Sequence, residues 1–466
     1  ESCVLSTLDA VIRTLAALLG QCLPRPEFDP IPKVDIQEGS RLLTEHTDQL
    51  LGCATNDRNV RIMVTIPTKA AHDDSIIHNL LAKGMNCMRI NCAHDTPETW
   101  AAMISNLRKA EKAIGVDCRI FMDLGGPKIR TSDIQPGPKV VHVRPKRDEF
   151  GITVIPARIW LSSEESPAEA PDDCEAEFRV SEGFLKCLQR CDEITFLDAR
   201  KQSRKWTVVK ITDVGCWVES IKACYVVPGA KLHRRNGKTQ QAVTEIGDFP
   251  PRPGVILLNR GDSLIVSAQP VSGNPDEHDS SEYPSPLPAI SCTMPEIVSQ
   301  VRPGETIWFD DGRIGGVIEK VEQHRFLVKI QHARPEGSKL RGGKGINFPD
   351  SQLNIDALTS ADIENLAFIA EHADAVEMSF ANSAQDVQLL EKSLEAVKSK
   401  KPAIVLKIET LEGFENLPSM LLAAMRWPSC GVMIARGDLA VECGYERLAE
   451  VQEEILWVCE AAHVPV

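Results

Sequence analysis

The sequence predicts an α/β protein in which a barrel of parallel strands is interrupted by an inserted β domain. Short apolar runs alternate with amphipathic helices over residues 59–130 and again over residues 346–466. Between these parts, residues 131–345 are rich in β-branched residues, Gly and Pro and contain few long helical patterns. Alternating strands and helices are typical of a parallel sheet or barrel, whereas a long β-rich stretch indicates a separate β domain.

Residues 1–58 precede this alternation and are predicted to form a helical extension. Leucine and isoleucine recur at helical spacing from Leu5 to Leu19, and Pro24 and Pro26 would end that helix. A second helix is predicted from Gly39 to Leu51. The pattern indicates no role for this extension.

The two barrel parts are predicted to supply six strands with helices between them. In the first part, strands are expected at Arg61–Pro67, Cys87–Ala93 and Arg119–Gly125, with helices near Asp74–Lys83 and Thr96–Ala113. In the second part, strands are expected at Ala375–Phe380, Ala403–Glu409 and Gly431–Asp438, with helices near Ser360–Glu371, Ser383–Ser399 and Tyr445–Ala462. Residues 464–466 are predicted to begin a seventh strand. The best fit is a TIM-type (β/α)8 barrel that is incomplete in this chain.

The β-rich segment contains an internal similarity. The sequence DEITFLDARKQSRKWTVVKI begins at Asp192, and GETIWFDDGRIGGVIEKVEQHRFLVKI begins at Gly304. Each continues to a Gly-x-Lys-Leu sequence, at Gly229 and at Gly337. The similarity predicts two related β modules, with chance resemblance between β-rich sequences as the alternative.

The composition argues against several classes of function. The chain has 466 residues and is 43% hydrophobic and 25% charged, as is usual for a soluble globular protein. Its net charge of −14 disfavours nucleic acid as a partner, because phosphate backbones bind to basic surfaces. Cysteines without a CxxC pair indicate reduced thiols and a cytoplasmic location. No apolar run approaches the ~20 residues that a membrane span needs, so no membrane is expected as a partner.

Charged and polar residues gather at the ends of four predicted strands. In parallel barrels the catalytic residues lie at the C-terminal strand ends. Cations and carboxylates that converge there suit a divalent metal ion holding an anionic, phosphorylated substrate. Each residue alone could be a solvated charge or a salt-bridge partner, but the four strand ends together favour a site. The residues are Arg89, Asn91 and His94; Asp123, Lys128 and Arg130; Lys407 and Glu409; and Arg436 and Asp438.

Several segments resemble motifs of the pyruvate kinase family and follow the family's order. CMRINCAHD resembles RLNFSHG, and FMDLGGPKIRT resembles D-x-x-GP-x-IRT. IWFDDGRIGG and GGKGINFPD resemble the VDDG and KGVNLP segments, and ALTSADIENLAFIAEHADAVEMSFANSAQDV is similar to the segment leading to the SFIR strand. LKIETLEG resembles the active-site signature KIENxEG, and GVMIARGDLAVE is close to GIMVARGDLG. The resemblance runs from about residue 60 to residue 466 and does not include residues 1–58.

The resemblance implies a glycolytic phosphotransferase that moves the phosphoryl group of phosphoenolpyruvate to ADP and gives pyruvate and ATP. Lys407 would neutralise the transferring phosphoryl group, and Arg89 would bind phosphate. Glu409 and Asp438 would hold an essential divalent metal ion, Mg²⁺ or Mn²⁺, which prefers such oxygen ligands. The turn at Gly437 and Asp438 would open a helix whose amide groups receive the substrate carboxylate.

The same resemblance implies a nucleotide side of the site. Arg130 would engage nucleotide phosphates, as would Lys344, which the inserted domain delivers. Asn91 and His94 would line this side. The full-length protein is expected to be a homo-oligomer.

The family's site for a monovalent cation is altered in this sequence. Most members hold K⁺ with oxygen ligands from RLNFSHG and from DTKGPEIRT. Asn91 and Asp123 keep two of these ligands, but Ala93 and Leu124 replace a Ser and a Thr. Lys128 stands where Glu is usual and would supply a tethered positive charge. The sequence therefore resembles the K⁺-independent members, and K⁺ is not expected to be required.

Other interpretations remain open from the sequence. A metal-dependent aldolase or lyase acting on pyruvate enolate would use similar strand-end carboxylates, although Arg130 and Lys344 argue against it. A non-enzymatic protein that kept the fold would have no need of Lys407, Glu409 and Asp438. The chain stops just before the family's strand-seven segment, so it is expected to be truncated, and an inactive fragment that retains the fold is the third alternative.

Overall fold

The chain folds into two compact units. The computed structural model describes residues 4–21, 34–54, 58–236, 239–271, 287–397 and 399–466, so that Pro24 and Pro26 lie outside the described residues. Unit 1 comprises the described residues up to Ser132, residues 257–271 and those from 287 onward. Unit 2 comprises residues 133–256. The stretch 131–345, predicted as a single inserted domain, is therefore divided between the two units.

The N-terminal extension forms two helices, as its pattern predicts. Helix α1 (Val4–Leu18) exposes its large apolar side chains from Leu8 onward. Helix α2 (Ile36–Leu51) begins after Asp35, whose carboxylate accepts a hydrogen bond from the amide of Glu38 at 2.8 Å. This contact satisfies one of the amide groups that the first turn of a helix leaves without a partner.

The first part of the barrel has three parallel strands, each inside a predicted strand. They and their helices are β1 (Met63–Thr65), α3 (Asp74–Ala82), β2 (Cys87–Asn91), α4 (Pro97–Ile114) and β3 (Arg119–Asp123). Helix α4 starts at a proline, where a missing amide hydrogen does no harm. It stops at Gly115, which adopts a left-handed conformation with φ of 78°.

In its described residues, unit 2 is a β module with one short helix. Its strands are β4 (Val141–Val143), β5 (Lys146–Arg147), β6 (Thr153–Ile155), β7 (Ala157–Ser163), β8 (Ala176–Val180), β9 (Glu193–Leu197), β10 (Ser203–Ile211), β11 (Gly215–Ser220), β12 (Cys224–Val226), β13 (Lys231–Asn236) and β14 (Thr239–Glu245). Helix α5 (Glu182–Cys187) lies between β8 and β9. The main sheet has the strand order β14-β13-β9-β10-β11-β7-β8.

A second β module follows in the chain and belongs to unit 1 apart from its first residue. Its strands are β15 (Ile256–Leu258), β16 (Ser263–Ser267), β17 (Ala289–Ser291), β18 (Thr306–Phe309), β19 (Ile314–Glu322), β20 (Arg325–His332), β21 (Ser338–Leu340) and β22 (Ile346–Asn347). The sheet has the strand order β17-β16-β20-β19-β18-β22.

The two β modules share one topology. Strands β8-β7-β11-β10-β9-β13 of unit 2 correspond in order to β17-β16-β20-β19-β18-β22. In each set the first pair of strands is parallel and every later pair is antiparallel. The similar sequences that begin at Asp192 and Gly304 start with the corresponding strands β9 and β18. Their ends do not correspond, because TVVKI lies in β10 whereas FLVKI lies in β20, the counterpart of β11. Similarity in sequence therefore marks the same place in the two sheets only at its start.

The second part of the barrel adds three strands and six helices. They are α6 (Ser360–His372), β23 (Ala375–Met378), α7 (Ala384–Val397), β24 (Ala403–Ile408), α8 (Leu411–Glu415), α9 (Leu417–Ala424), β25 (Cys430–Ile434), α10 (Arg436–Cys443) and α11 (Leu448–Ala461). Helices α8 and α9 were not predicted. The predicted strand 431–438 is wrong at its end, because β25 stops at Ile434 and Asp438 lies in α10. Residues 464–466 form no strand, although the Pro465 carbonyl accepts a hydrogen bond from the Val432 amide at 2.9 Å.

Six parallel strands in the order β1-β2-β3-β23-β24-β25 make up the TIM-type barrel sheet. Helices pack against it through a continuous buried cluster that includes Trp100, Leu107, Leu366 and Ile455. The described cysteines are all free. Among the described residues, no helix is both long and apolar enough to cross a membrane.

Helix α2 inserts one side chain among the barrel strands. Leu50 is only 4% exposed and packs with Phe121, Ala375 and Val405, which belong to three different strands. A Cβ atom added at Gly431 would lie 2.4 Å from Cδ2 of Leu50. The extension is therefore part of the packed core of unit 1, and β25 needs a glycine where Leu50 approaches it.

A double-mutant cycle tests this contact. We expect Gly431→Ala to destabilise the protein by about 1–3 kcal/mol, because the added methyl group overpacks the site. We expect Leu50→Ala alone to cost about 2–5 kcal/mol through the cavity it leaves. Since Leu50→Ala removes the clashing atom, Gly431→Ala should cost clearly less in that background. Chemical denaturation of the four proteins measures the coupling, and additive effects of the two changes would disprove the contact.

Candidate active site

A cleft of about 370 Å³ opens at the C-terminal ends of the barrel strands in unit 1. The strands are parallel, so their C-terminal ends meet at one edge and bring distant parts of the sequence together. The predicted site residues that line this cleft are Arg89, Asn91, Lys128, Arg130, Lys407, Glu409, Gly437 and Asp438.

Lys407 lies at the centre of the cleft and is almost fully buried. Its Nζ is 3.0 Å from Asp123 Oδ1 and 3.0 Å from Glu409 Oε1, and it donates a hydrogen bond to Ser379 Oγ at 2.7 Å. Burial alone would lower the pKa of Lys407, but the carboxylates of Glu409 and Asp123 outweigh it and raise that pKa. The side chain is thus held as an ammonium cation at the base of the cleft.

Arg89, which is partly buried, forms the second cation of the site. Its Nη2 contacts Asp123 Oδ2, its Nε is 2.8 Å from Glu377 Oε2, and its Nη1 donates to Thr65 Oγ1 at 2.7 Å. Burial and the charge of Asp123 raise the pKa of Glu377 to about 7, although Arg89 acts in the opposite direction. Among the described residues, Glu377 Oε1 is buried without a hydrogen-bond partner. Arg89 is thereby fixed in orientation by groups on three strands.

Two carboxylates of the cleft could hold a metal ion. Glu409 follows β24 directly and Asp438 lies in the first turn of α10. Burial raises the pKa of Glu409, Lys407 opposes this, and the negative charge of Asp438 adds to it. Asp438 Oδ1 is 2.8 Å from Lys128 Nζ. Two nearby carboxylates with unused lone pairs fit a hard divalent cation. No group of three or more His, Cys, Asp or Glu that could hold a metal ion occurs in the described part of the chain.

The backbone at the end of β23 positions the Glu409 carboxylate. Phe380 adopts a left-handed conformation with φ of 53°, and its amide donates to Glu409 Oε2 at 2.8 Å. Gly126 packs against Ser379, the residue before Phe380, since a Cβ atom at Gly126 would lie 2.7 Å from Ser379 Cβ. A glycine is therefore needed for strands β3 and β23 to approach each other beside the cleft.

The predicted nucleotide side is only partly assembled. Asn91 and Arg130 line the cleft, and Arg130 Nη1 donates to the Gly343 carbonyl at 3.2 Å. His94 and Lys344 are not among the residues that line it. Lys344 Nζ instead lies 2.8 Å from Asp310 Oδ1. The exposed His94 contributes its backbone carbonyl, which accepts a hydrogen bond from Trp100 Nε1 at 3.0 Å.

Sequence reasoning missed two polar residues of β23 and its following turn. Glu377 and Ser379 are two positions apart, so both point to the same side of the strand, toward Arg89 and Lys407 respectively. A signal was present, because a glutamate inside the apolar run AVEMSF has to be paired or protonated once it is buried. Nothing in the sequence alone identifies its partner.

A second pocket of unit 1, of about 250 Å³, is lined by a partly buried acid, Glu442. Glu442 in α10 accepts a hydrogen bond from Asn347 Nδ2 at 2.8 Å. Burial raises the pKa of Glu442 to about 7, with Asn347 opposing the shift and Asp438 and Asp350 adding to it. The helix that carries Asp438 thus also carries a carboxyl group that is costly to ionise.

Comparison with known families identifies the barrel. The family model described as "Pyruvate kinase, barrel domain" matches residues 57–159 and 255–466, more than half of the chain. The unmatched residues 160–254 fall within unit 2.

Individual relatives agree with that match. A pyruvate kinase of Bacillus licheniformis is 31% identical over 225 residues, which are 48% of this chain and 35% of the relative. A pyruvate kinase of Thermococcus litoralis is 32% identical over 238 residues, which are 49% of this chain and 46% of the relative. The crystal structure of a pyruvate kinase from Cryptosporidium parvum is similar in fold, with a TM-score of 0.50 and 17% identity over 89% of this chain and 56% of that one. The matched region therefore spans less than half the length of these curated relatives.

Replacing Glu442 tests the effect of its carboxyl group on stability. The pKa of Glu442 in the folded protein lies above the unfolded value. The contribution of the protonated Glu442 to the free energy of unfolding is therefore fully present below about pH 4.5 and is lost as the pH rises through about 7. Glutamine does not titrate, so the stability of Glu442→Gln relative to the parent should increase by about 2 kcal/mol as the pH is raised from 5 to 8. Urea unfolding at both pH values measures this difference. The exposed Glu446→Gln is the control and should show no such trend, and a constant difference for Glu442→Gln would refute the assignment.

Proposed function

Because the chain belongs to the pyruvate kinase family, we propose that its cleft transfers the phosphoryl group of phosphoenolpyruvate to ADP. The observation that carries the proposal is the buried Lys407 ammonium, held between Asp123 and Glu409 beside the Arg89 guanidinium. Two cations at the base of one cleft suit a substrate with a phosphate and a carboxylate. The proposal concerns the natural polypeptide that carries this sequence.

Charge neutralisation is the chemistry that these residues supply. The bond between the phosphoryl group and the enolate oxygen breaks, the enolate keeps the electron pair, and a β-phosphate oxygen of ADP forms the new bond. Lys407 offsets the negative charge that spreads over the phosphoryl oxygens, and Arg89 binds that phosphate in the ground state. Protonation of the enolate carbon then gives pyruvate. Both cations are already fixed by buried carboxylates, so little reorganisation is needed during the transfer.

A divalent metal ion, Mg²⁺ or Mn²⁺, would be held by Glu409 and Asp438. When bound, it supplies positive charge at the enolate and phosphoryl oxygens. The raised pKa of Glu409, caused by burial and increased by Asp438, supports this assignment, because a cation between the two carboxylates would relieve their repulsion. Gly437 precedes Asp438 in the first turn of α10, where free amide groups could receive the substrate carboxylate.

The nucleotide would occupy the side of the cleft lined by Asn91 and Arg130. Lys344 can join it only if the ion pair with Asp310 opens, and His94 would have to turn inward. We therefore propose that ADP phosphates compete with Asp310 for Lys344. The wider biological assignments, namely glycolysis, a cytoplasmic location and a homo-oligomeric full-length protein, rest on the family alone.

Lys128 is proposed to replace the monovalent cation. Its ammonium lies 2.8 Å from Asp438 and lines the same cleft as Lys407 and Arg89. Ala93 and Leu124 also line the cleft and offer no side-chain oxygen to K⁺. A tethered cation in a position without enough oxygen ligands would supply the charge that K⁺ supplies elsewhere.

Removing the central cation tests the proposed reaction. We expect Lys407→Met to lower the turnover of pyruvate and ATP formation by at least about 1,000-fold, because the lost charge acts mainly during transfer. A coupled assay of the natural polypeptide with Mg²⁺ measures the rate. Lys401→Met is the matched control, since Lys401 is half-exposed and pairs with Glu395, and it should keep the parental rate. A normal rate in Lys407→Met would disprove the role, and an inactive parent would disprove the function.

The proposed role of Lys128 predicts that the activity of the enzyme does not depend on K⁺. The parental enzyme should reach full activity in buffers free of K⁺ and NH₄⁺, whereas stimulation by about tenfold or more would count against the assignment. We expect Lys128→Glu to impair activity, since it removes the cation and places a like charge beside Asp438. Added K⁺ should not restore that variant, because Ala93 and Leu124 cannot act as ligands. Initial rates at matched ionic strength, with Na⁺ as the replacement ion, measure both effects.

A further inference from the structure

Unit 2 carries a stack of three planar side chains away from the barrel cleft. Strands β4 and β12 pair so that His142 lies directly opposite Tyr225. Their rings stack with centroids 3.9 Å apart and planes inclined by 16°. The guanidinium carbon of Arg200 lies 4.4 Å from the centroid of the Tyr225 ring. Two groups this close to one ring have to occupy opposite faces, so Tyr225 is sandwiched between the imidazole and the guanidinium.

Two further arginines surround the imidazole. Arg144 Nε donates to His142 Nδ1 at 2.8 Å, which leaves the ring proton of a neutral imidazole on Nε2. Arg252 is anchored through Nε, which donates to the Val140 carbonyl at 2.8 Å. Burial lowers the pKa of His142, and the charges of Arg144, Arg252 and Arg200 lower it further. The imidazole therefore sits in a region of positive potential.

The carboxylates near this stack are already engaged. Asp198 is buried, lies 2.9 Å from Arg204, and is 3.7 Å from Arg200. The Glu175 carboxylate accepts a hydrogen bond from the backbone amide of Arg144 at 2.8 Å. No carboxylate within the described residues forms an ion pair with the guanidinium of Arg144 or of Arg252. Arg144 and Arg252 therefore add positive charge beside the imidazole that no such ion pair offsets, which is unfavourable and more unusual in a chain whose net charge is −14.

The shared topology of the two β modules gives a second observation. The loop between β9 and β10 carries Asp198 and Arg200, and the loop between β18 and β19 occupies the same place in the other module. That second loop carries Asp310, which contacts both Arg313 and Lys344. In each module, an aspartate that directly follows the strand therefore gathers cations at the same loop.

We propose that unit 2 binds a small molecule bearing two or more phosphate groups, at a site formed by Arg144, Arg200, Arg252 and the His142 imidazole. Guanidinium groups bind phosphate oxygens through paired hydrogen bonds, and His142 Nε2 can donate one more. Three cations match a ligand with several negative charges better than a single carboxylate does. The two ring faces of Tyr225 are already covered, so the ligand is recognised by its phosphates rather than by stacking on that ring.

Binding of inorganic pyrophosphate is the direct test. Calorimetric titration of the natural polypeptide in EDTA avoids binding that depends on a divalent metal ion at the barrel cleft. We expect a single-site isotherm for the parent and a weakening of about tenfold or more for the Arg200→Ala/Arg252→Ala variant. Arg190→Ala is the control, since this exposed arginine precedes β9 at the end opposite the loop, and it should bind as the parent does.

Two more measurements keep the outcome decisive. Lys407→Met should bind pyrophosphate normally, which separates this site from the proposed activity of the barrel. If the double variant does not fold, NMR spectroscopy of the parent protein takes its place. The His142 ring signal is identified by its loss in His142→Gln. Pyrophosphate should shift that signal and raise the pKa of the ring. Unchanged binding in the double variant, loss of binding in Lys407→Met, or an unmoved His142 signal would overturn the proposal. Tighter binding of an oligonucleotide than of pyrophosphate at the same arginines would also overturn it.

Discussion

The buried ammonium of Lys407 is the interaction on which the rest of the candidate site depends. Without it, Asp123 and Glu409 would be buried with too little positive charge, which is strongly destabilising. Together with Arg89 it faces three buried carboxylates, since Glu377 completes the set. Two cations do not balance three anions. Their positive charge therefore does not fully offset the effect of burial, which raises the pKa values of Glu377 and Glu409. A proton on Glu377 or a divalent cation beside Glu409 would each restore the balance.

The two β modules show how one topology can serve different surroundings. The module with β16–β22 lies in the barrel unit, and its Lys344 backbone carbonyl accepts a hydrogen bond from the amide of Thr131 at 2.7 Å. The module with β4–β14 forms a unit of its own, with a separate core around Phe178 and Trp206. Each has an aspartate and several cations at the same loop. Repetition of the fold therefore places a loop that begins with an aspartate at the same point of each sheet, while the residues beside the loop differ.

Much of the fold could be predicted from local patterns. Strand–helix alternation located all six barrel strands, because apolar runs and amphipathic periods are properties of neighbouring residues. The same reasoning failed where the chain turns sharply. It extended the last strand through Asp438, although β25 ends at Ile434, and it missed α8 and α9. It also treated 131–345 as one domain, since composition does not reveal which sheet each β strand joins.

The sequence by itself determined which kinds of charge stand at the strand ends, and hence that a phosphorylated substrate and a metal ion were the chemistry to expect. Only the tertiary structure decided which charges meet. Arg89 and Glu377 are 288 positions apart, and Lys128 and Asp438 are 310 apart. It also directed Lys344 toward Asp310 rather than into the cleft. The physical reason is that an ion pair depends on strand register and burial, and both are set by contacts between residues distant in sequence.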